Sequence, residues 1–361
     1  MKFAKTLFDS LKEEPSVAII ILNWNGLNDT VDCLNSLEDI TYANYKIVIV
    51  DNGSENNEGM ELKTRFPKIH LIMNKINRGF CGGNNDGINW AISNGFDYIV
   101  NLNNDCIVEK EWLSNLIRGV IKSDVDFASS RIMFYPDTDL IFSDGDMVLP
   151  NGAGFSENRL KKYYGTNSTK AIFSACGAAS LYSRRCLEAI KIKENQYFDE
   201  LYFAYFEDID IGFRLASKSF KGVLVPDAVV YHKAHKSTGE YSYFKLFNTS
   251  RNRVLNVLLN FPLWMIPVAE IYHFLKNKLP RFIPRALKSG NNQKSIPAIL
   301  NIDFRDLKKK RRKWILNNIP VIRRNRLERK KNGLINSRIH KHLCWDMSKF
   351  IAKPVLRKIK K

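Results

Sequence analysis

The segment SVAIIILNWNG (16–26) is an unbroken apolar run that empties into Asn and Gly, and it constrains the fold more than any other feature. A strand wet on one face alternates polar and apolar residues; this one does not, so both of its faces are buried, as in a parallel sheet covered by helices. LNDTVDCLNSLEDI follows, with Val31, Leu34, Leu37 and Ile40 at helical spacing, and then YKIVIVDNGS (45–54), a second run closed by polar residues. Strand, helix and strand in that order predict a right-handed parallel crossover. KIHLIMN (68–74) reads as a third strand, GGNNDGINWAIS as the start of a helix, and FDYIVNLNNDCIV (96–108) as a fourth strand.

Each of these strands ends in polar residues, at 23–25, 51–54, 74–78 and 101–105. In an open α/β sheet the ligand crevice lies outside the carboxyl ends of the strands, so a binding site assembled from these four loops is expected. Asn, Asp and Gly are also ordinary turn residues, and one loop alone decides nothing. The middle of the chain, 125–200, is less periodic and rich in Gly. There SDGDMVLPNGAGFSEN reads as a hairpin or mobile loop, and SACGAASLYSRRCLEAI as strand, turn and helix. KGVLVPDAVVYHKAHKSTG supplies a last strand and a polar loop with His232, His235 and Ser237, and KSGNNQKSIP (288–297) has the composition of a linker.

The net charge of +19 is unevenly placed. Residues 276–361 hold 27 Lys/Arg against four acids (Asp303, Asp306, Glu328, Asp346), whereas the first 275 residues hold 29 Lys/Arg and 33 acids. A mildly acidic body therefore carries a strongly basic last quarter, more positive than solubility requires. No nucleic-acid-binding motif lies among the basic runs, so nucleic acid is a disfavoured partner. An anionic membrane surface is the expected one, since each Lys/Arg near such a surface contributes roughly 1 kcal/mol. FPLWMIPVAEIYHFL (261–275), broken by Pro262, Pro267 and Glu270, is too short to span a bilayer but suited to its interface. The six cysteines form no CxxC pair and stand apart from the histidines, which argues against structural zinc and for idle thiols in a reducing compartment. MKFAKTLFDSLKEEPS lacks the apolar core of a signal peptide. The expectation is a cytoplasmic protein, peripheral at the inner face of the cell membrane.

Three stretches offer chemistry. In NLNNDC, Asp105 is an acid at a strand end, where one or two carboxylates suffice to hold Mg²⁺ or Mn²⁺ when a diphosphate supplies further oxygens. NRGFCGGNNDG (77–87) has four glycines that permit close backbone approach, but it is neither a P-loop nor a clean dinucleotide fingerprint. YFAYFEDIDIGFRL (202–215) puts Glu207, Asp208 and Asp210 among five aromatic residues. Phe206, Ile209, Phe213 and Ala216 make an apolar helical stripe, and acids in a first turn are stabilised by the helix dipole without any catalytic role. Aromatic neighbours and like charges would instead raise a carboxyl's pKa and make it a proton acceptor. The stretch alone allows both.

Taken in chain order, VAIIILNWNG, IVIVDNGS, NRGFCGGNNDGI, NLNNDCIVEKEWL, CGAASLYSRR, FDELYFAYFEDIDIGFRL and VVYHKAHKSTG with the later RNR resemble the motif series of family 2 glycosyltransferases, above all the rhamnosyltransferase-like branch. The resemblance covers roughly residues 15–260. It implies a GT-A fold there, an α/β domain whose Rossmann-like, mixed and mainly parallel sheet is flanked by helices. A short N-terminal segment (1–14) would precede it, and a basic, mainly helical, membrane-associating region (261–361) would follow.

The resemblance further implies an inverting transfer from a nucleotide-diphosphate sugar, of dTDP-rhamnose or UDP-sugar type. The acceptor would be a hydroxyl of a glycan or lipid-linked glycan precursor in cell-surface polysaccharide synthesis. Carried over residue by residue, it assigns the donor to Asn23, Asn25, Gly26, Asp51, Asn52, Asn77, Gly79, Asn85, Asn104 and Arg251. Asp51 would meet the nucleobase or ribose, and Arg251 with Asn252 would support the leaving group. Asp105 and His232 would hold the divalent cation, Mg²⁺ or Mn²⁺, with His235 the lesser candidate. Asp208 would be the base that deprotonates the acceptor, with Glu207 as its orienting neighbour. The family's metal motif normally carries two acids, or one after Asn-Pro, whereas Asn103, Asn104 and Asp105 supply one carboxylate. That departure keeps open a second reading, a non-catalytic carbohydrate- or nucleic-acid-binding protein on a degenerate transferase scaffold.

Overall fold

The computed structural model describes residues 14–165, 168–234, 242–278 and 302–345. The first apolar run forms β1 (Val17–Asn23), which pairs in parallel with β2 (Tyr45–Asp51) on one side and β4 (Tyr98–Asn103) on the other. β3 (His70–Met73) extends the same edge beyond β2. Ile19 and Ile21 enter one core beside Leu34 and Leu37 of α1 (Leu27–Glu38), while Ala18 and Ile20 enter the other beside Ile88 and Ala91 of α3 (Gly79–Ser93). Both faces of the strand are thus filled by helices, which is what an uninterrupted apolar run requires. Two glycines of the NRGFCGGNNDG stretch serve this packing: a Cβ at Gly83 would lie 2.3 Å from Leu22, and one at Gly87 would lie 2.5 Å from Ile20.

After α2 (Glu58–Arg65), α3 and β4, the stretch expected as one strand over 96–108 proves to be two. β4 stops at Asn103, a turn takes Asn104 and Asp105, and β5 (Cys106–Val108) leaves to pair with β12 (Gly222–His232), where Cys106 faces His232. The three polar residues in the middle of the run favour a turn over continued pairing. The break presents Asp105 beside a histidine that is remote in sequence.

Next come α4 (Trp112–Ser123), β6 (Phe127–Phe134), β7 (Ile141–Ser143), β8 (Met147–Val148), β9 (Gly154–Phe155), β10 (Lys170–Ile172), β11 (Ala179–Ser183), α5 (Arg184–Ile190) and α6 (Glu207–Ser217). The main sheet runs β10-β12-β6-β11-β4-β1-β2-β3, with β5 on β12 and β7 on β6. β11 is antiparallel to both of its neighbours, β4 and β6, and β6 runs parallel to β12. The sheet is therefore mixed and mainly parallel, flanked by helices. Within SDGDMVLPNGAGFSEN, β8 and β9 form the expected hairpin.

The C-terminal region contributes α7 (Tyr243–Asn260), α8 (Met265–Lys278), α9 (Phe304–Asn317) and α10 (Ile319–Lys331), with α9 and α10 packed on α7. Arg329 of α10 is fully buried: its guanidinium donates to Asp199 Oδ2 at 2.7 Å and to Asp210. The basic region is fastened to the preceding domain through that pair. Among the described residues no helix is long and apolar enough to cross a membrane. His235, Ser237, the 288–297 linker, the N-terminal residues 1–13 and those after 345 lie outside the described residues.

Candidate active site

The carboxyl ends of β1, β2 and β4 lie side by side, Asn23 in register with Asp51 and Leu22 with Asn103. Asn23 donates from Nδ2 to Asp51 Oδ2 (3.0 Å), Ser54 Oγ (3.1 Å) and Glu58 Oε2 (2.9 Å), and accepts from Thr30 Oγ1 (2.7 Å). The Gly26 amide donates to Glu58 Oε2 at 3.0 Å, and Asn25 exchanges bonds with the 54–55 turn. Asn104 donates to Thr30 Oγ1 at 2.9 Å. Asn52 donates to Asn77 Oδ1 (3.0 Å) and to the Gly79 carbonyl (3.1 Å), which joins the second loop to the third. One polar network thus gathers Asn23, Asn25, Gly26, Asp51, Asn52, Asn77, Gly79 and Asn104.

Asn85 and Arg251 are committed elsewhere. Asn85 accepts from the amides of Tyr197 and Phe198 (3.1 and 2.8 Å) and donates to the Phe198 carbonyl (2.9 Å). Arg251 is buried, donates to the Tyr202 carbonyl and lies over the Trp314 ring at 4.5 Å. Its neighbour Asn252 donates to the carbonyls of Tyr202 (3.0 Å), Ala204 (2.9 Å) and Tyr205 (2.6 Å). Phe203, Tyr205 and Phe206 there all have positive φ, at 62°, 71° and 65°. Each such residue costs of order 1–3 kcal/mol, so the segment persists because Asn252 and Arg251 hold it. It delivers the chain directly into α6, where the three acids lie.

Those acids have separate environments. Asp210 is fully buried; burial opposes its charge, but Arg329 and Arg214 outweigh burial and hold the carboxyl at about 2. Glu207 is 6% exposed and its Oε2 has no hydrogen-bond partner among the described residues. Burial first, then the Asp208 charge, pushes it well above the usual carboxylate range. Asp208 has no cationic partner within ion-pair distance among the described residues. Its Oδ2 accepts from the Gly177 amide at 3.2 Å and its Oδ1 from the Ile209 amide at 2.8 Å. Burial raises its proton affinity and the two amides partly offset the rise. A carboxyl with raised proton affinity and no cation beside it can accept a proton near neutral pH.

At the turn after β4, His232 Nε2 lies 3.0 Å from Asp105 Oδ1, and the Cys106 thiol completes a group whose ligand atoms fall within 4.8 Å of one another. The segment 176–178 connects this turn to the acids. The Ala178 carbonyl accepts from the Asn103 amide at 2.9 Å and from the Cys106 thiol at 3.6 Å, while Gly177 binds Asp208.

Residues 18–191 match the family model described as Glycosyl transferase family 2. The chain carries a family 2 glycosyltransferase domain. It is 24% identical over 212 residues to the glycosyltransferase GlyA of Streptococcus pneumoniae, a match covering 54% of this chain and 29% of that protein. The chain therefore spans less than a third of that relative's length. Over 261 residues it is 25% identical to the low-salt glycan biosynthesis hexosyltransferase Agl10 of Haloferax volcanii, covering 70% of this chain and 77% of that one. A 43-residue stretch is 56% identical to the N-acetylglucosaminyl-diphospho-decaprenol L-rhamnosyltransferase of Mycobacterium tuberculosis, covering 12% and 14%. Among solved structures, GalNAc-T7 with UDP, GalNAc and Mn²⁺ superposes with a TM-score of 0.58 at 13% identity, covering 91% of this chain and 56% of that one. That likeness is one of fold, and the fold is of GT-A type.

Several residues of the glycosyltransferase domain escape a motif reading. Thr30 and Glu58 organise Asn23 from within ordinary amphipathic helices. Asp146, in the β8–β9 hairpin segment, brings its carboxyl within 4.8 Å of the Asp208 carboxyl and the Cys176 thiol. A second Asp two residues after Asp144 is the only sequence signal it leaves.

Proposed function

We propose that the domain transfers a sugar, with inversion, from a nucleotide-diphosphate sugar to an acceptor hydroxyl, and that Asp208 takes the hydroxyl proton. The observation that carries this reading is the contrast within α6: Asp210 is neutralised by Arg214 and Arg329, whereas Asp208 accepts from backbone amides and has no cationic partner among the described residues. The hydroxyl oxygen bonds to the anomeric carbon as the bond from that carbon to the diphosphate breaks. Asp208 removes the proton that would otherwise leave a cationic oxygen. The loops of Asn23, Asp51 and Asn52 would receive the nucleotide, since their polar network lies at the carboxyl ends of the parallel strands. Arg251 and Asn252 would act on the donor indirectly, by holding the 202–206 segment.

The residues at Asp105 fit a hard divalent cation. Adjacent ligands on an octahedral ion at about 2.1 Å sit about 3 Å apart, and Asp105 Oδ1 and His232 Nε2 are 3.0 Å apart. A hard cation of this kind favours oxygen and imidazole ligands over sulfur, which leaves the Cys106 thiol out of the ligand set. Asp105 and His232 would hold Mg²⁺ or Mn²⁺, with diphosphate oxygens completing its shell; the Mn²⁺ and UDP of the GalNAc-T7 structure support that choice. Such an ion neutralises the charge that builds on the departing diphosphate.

The acceptor would be a glycan or lipid-linked glycan precursor, met at an anionic membrane face. Leu263, Trp264, Ile271, Phe274 and Leu275 of the α8 segment are exposed, and Lys308, Lys309, Arg312 and Lys313 gather on α9. Relatives named for diphospho-decaprenol and undecaprenyl-phosphate chemistry support this acceptor class. The test is transfer by purified protein with a panel of nucleotide sugars and Mg²⁺ or Mn²⁺. Donor-dependent product formation that stops in Asp208→Asn supports the reading, and full activity in that variant overturns it.

A further inference from the structure

The sequence SDGD puts two carboxyls two residues apart in unlike surroundings. Asp144 binds Lys170 Nζ at 2.7 Å, Ser156 Oγ at 2.9 Å and Asn158; against the effect of burial, these partners hold its carboxyl below the usual range. Gly145 follows at φ 86°, and a Cβ there would lie 2.3 Å from Ile172, so the reversal needs glycine. Asp146 is then fixed by its backbone: its amide donates to the Ser174 carbonyl at 3.0 Å and its carbonyl accepts from Phe173 at 3.1 Å. The result is a carboxyl 8% exposed, within 4.8 Å of Asp208. The groups facing it are Asp208, Asp144, Glu207 and Arg159, the Cys176 thiol and the Ser143 hydroxyl.

The space over Gly177 has a matching lining. A Cβ there would lie 3.4 Å from Glu207 Oε1 and 3.8 Å from Asp208 Oδ2. Glu207 Oε2 is unpartnered among the described residues, the Phe80 ring also lies against Gly177, and Asp208 accepts from an amide at each of its two oxygens.

We propose that Asp146 is the second carboxyl of the base site, a positioning residue that keeps a proton in the resting enzyme and thereby leaves Asp208 as the ionised member that receives the acceptor's proton. The inference rests on the reading of Asp208 as the base. Two carboxyls this close and withdrawn from water do not both ionise at neutral pH; the pair titrates in two steps. The proton settles on Asp146, because burial, then Asp208, then Asp144 all raise it. The amides of Gly177 and Ile209 favour the anion on Asp208. During transfer the hydroxyl proton moves to Asp208, the pair then holds two protons, and one passes to water before the next turnover. Cys176, raised by burial and by both acids, stays a thiol and takes no part.

The test uses the full chain, its Asp146→Asn, Asp146→Ala and Glu207→Gln variants, and two readouts. Infrared difference spectra without substrate should contain two protonated-carboxyl stretches at neutral pH, one missing from Asp146→Asn and the other, that of Glu207, missing from Glu207→Gln. The kcat/KM profile of the wild type should decline on the alkaline side as Asp146 ionises. Asp146→Asn, whose amide cannot ionise, should lose that decline while retaining turnover within about tenfold, and Asp146→Ala should fall further at neutral pH. An infrared spectrum unchanged by Asp146→Asn, or an alkaline decline retained at the same pH in that variant, overturns the proposal. Failure of the base reading looks different, as near-normal turnover in Asp208→Asn, and it leaves the infrared result standing alone.

Discussion

The Gly177 amide donates to Asp208 Oδ2 at 3.2 Å, and this single bond ties the base candidate to the strand turn that carries the metal candidate. The next residue, Ala178, accepts from Asn103, two positions before Asp105. The segment CGAA therefore holds both the base candidate and the turn of the metal candidate from one short stretch of backbone.

The pair at that turn yields the first prediction. Asp105→Ala and His232→Ala should each raise the divalent cation concentration needed for half-maximal transfer by at least about 10–100-fold, the range that loss of a group merely orienting a metal ligand already costs. Cys106→Ser should leave it unchanged. Titration of activity with Mn²⁺ in the three variants checks the ranking.

Arg329 belongs to stability. Arg329→Met leaves Asp199 buried without this cation and Asp210 with Arg214 alone, and removing one partner of a buried ion pair costs roughly 3–5 kcal/mol. Denaturant unfolding of the full chain should report that loss. The pH dependence has a definite sign: Asp210 is depressed from 3.8 to about 2, so its stabilisation is complete above the ordinary value and is lost as pH falls toward about 2. A variant as stable as wild type would mean that α10 is not fastened through this pair.

Glu207 has the opposite sign. Its folded carboxyl holds a proton above its ordinary range, so the folded state binds more protons than the unfolded one and stability falls as pH rises past that range. Glu207→Gln has no proton to lose, and its melting temperature should decline less between acid and mildly alkaline pH.

For the basic region, flotation with anionic liposomes should recover the protein at low salt and lose it as salt rises, since Lys/Arg attraction is screened. Charge reversal of Lys308, Lys309, Arg312 and Lys313 should weaken recovery. Failure to float even at low salt would count against membrane attachment.

Much of the fold was legible because apolar runs that end in polar loops admit few arrangements. The strands at 17–23 and 45–51 and the helix between them follow from periodicity, and the hairpin after Ser143 is one of the two forms its turn chemistry allows; the helix Glu58–Arg65 was not read. The break inside 96–108 was not, since nothing local says that β5 will leave β4 to pair with a strand more than a hundred residues away. The helix-cap account of the acids holds in part: Asp208 and Asp210 do lie in the first turn of α6, but Asp210 is neutralised by an arginine from the basic region, a partner that no spacing reveals. Arg251 is likewise a brace whose ring contact with Trp314 exists only after α9 has docked.

The most direct measurement compares Asp208→Asn with wild type in sugar transfer and in nucleotide-sugar binding on the same preparation. Substitution removes the proton acceptor while keeping the size of the side chain, although its single amide oxygen can accept from only one of the Gly177 and Ile209 amides. Transfer reduced by about 10²-fold or more, with donor affinity and melting temperature unchanged, is the predicted result. Transfer near the wild-type rate would contradict the account.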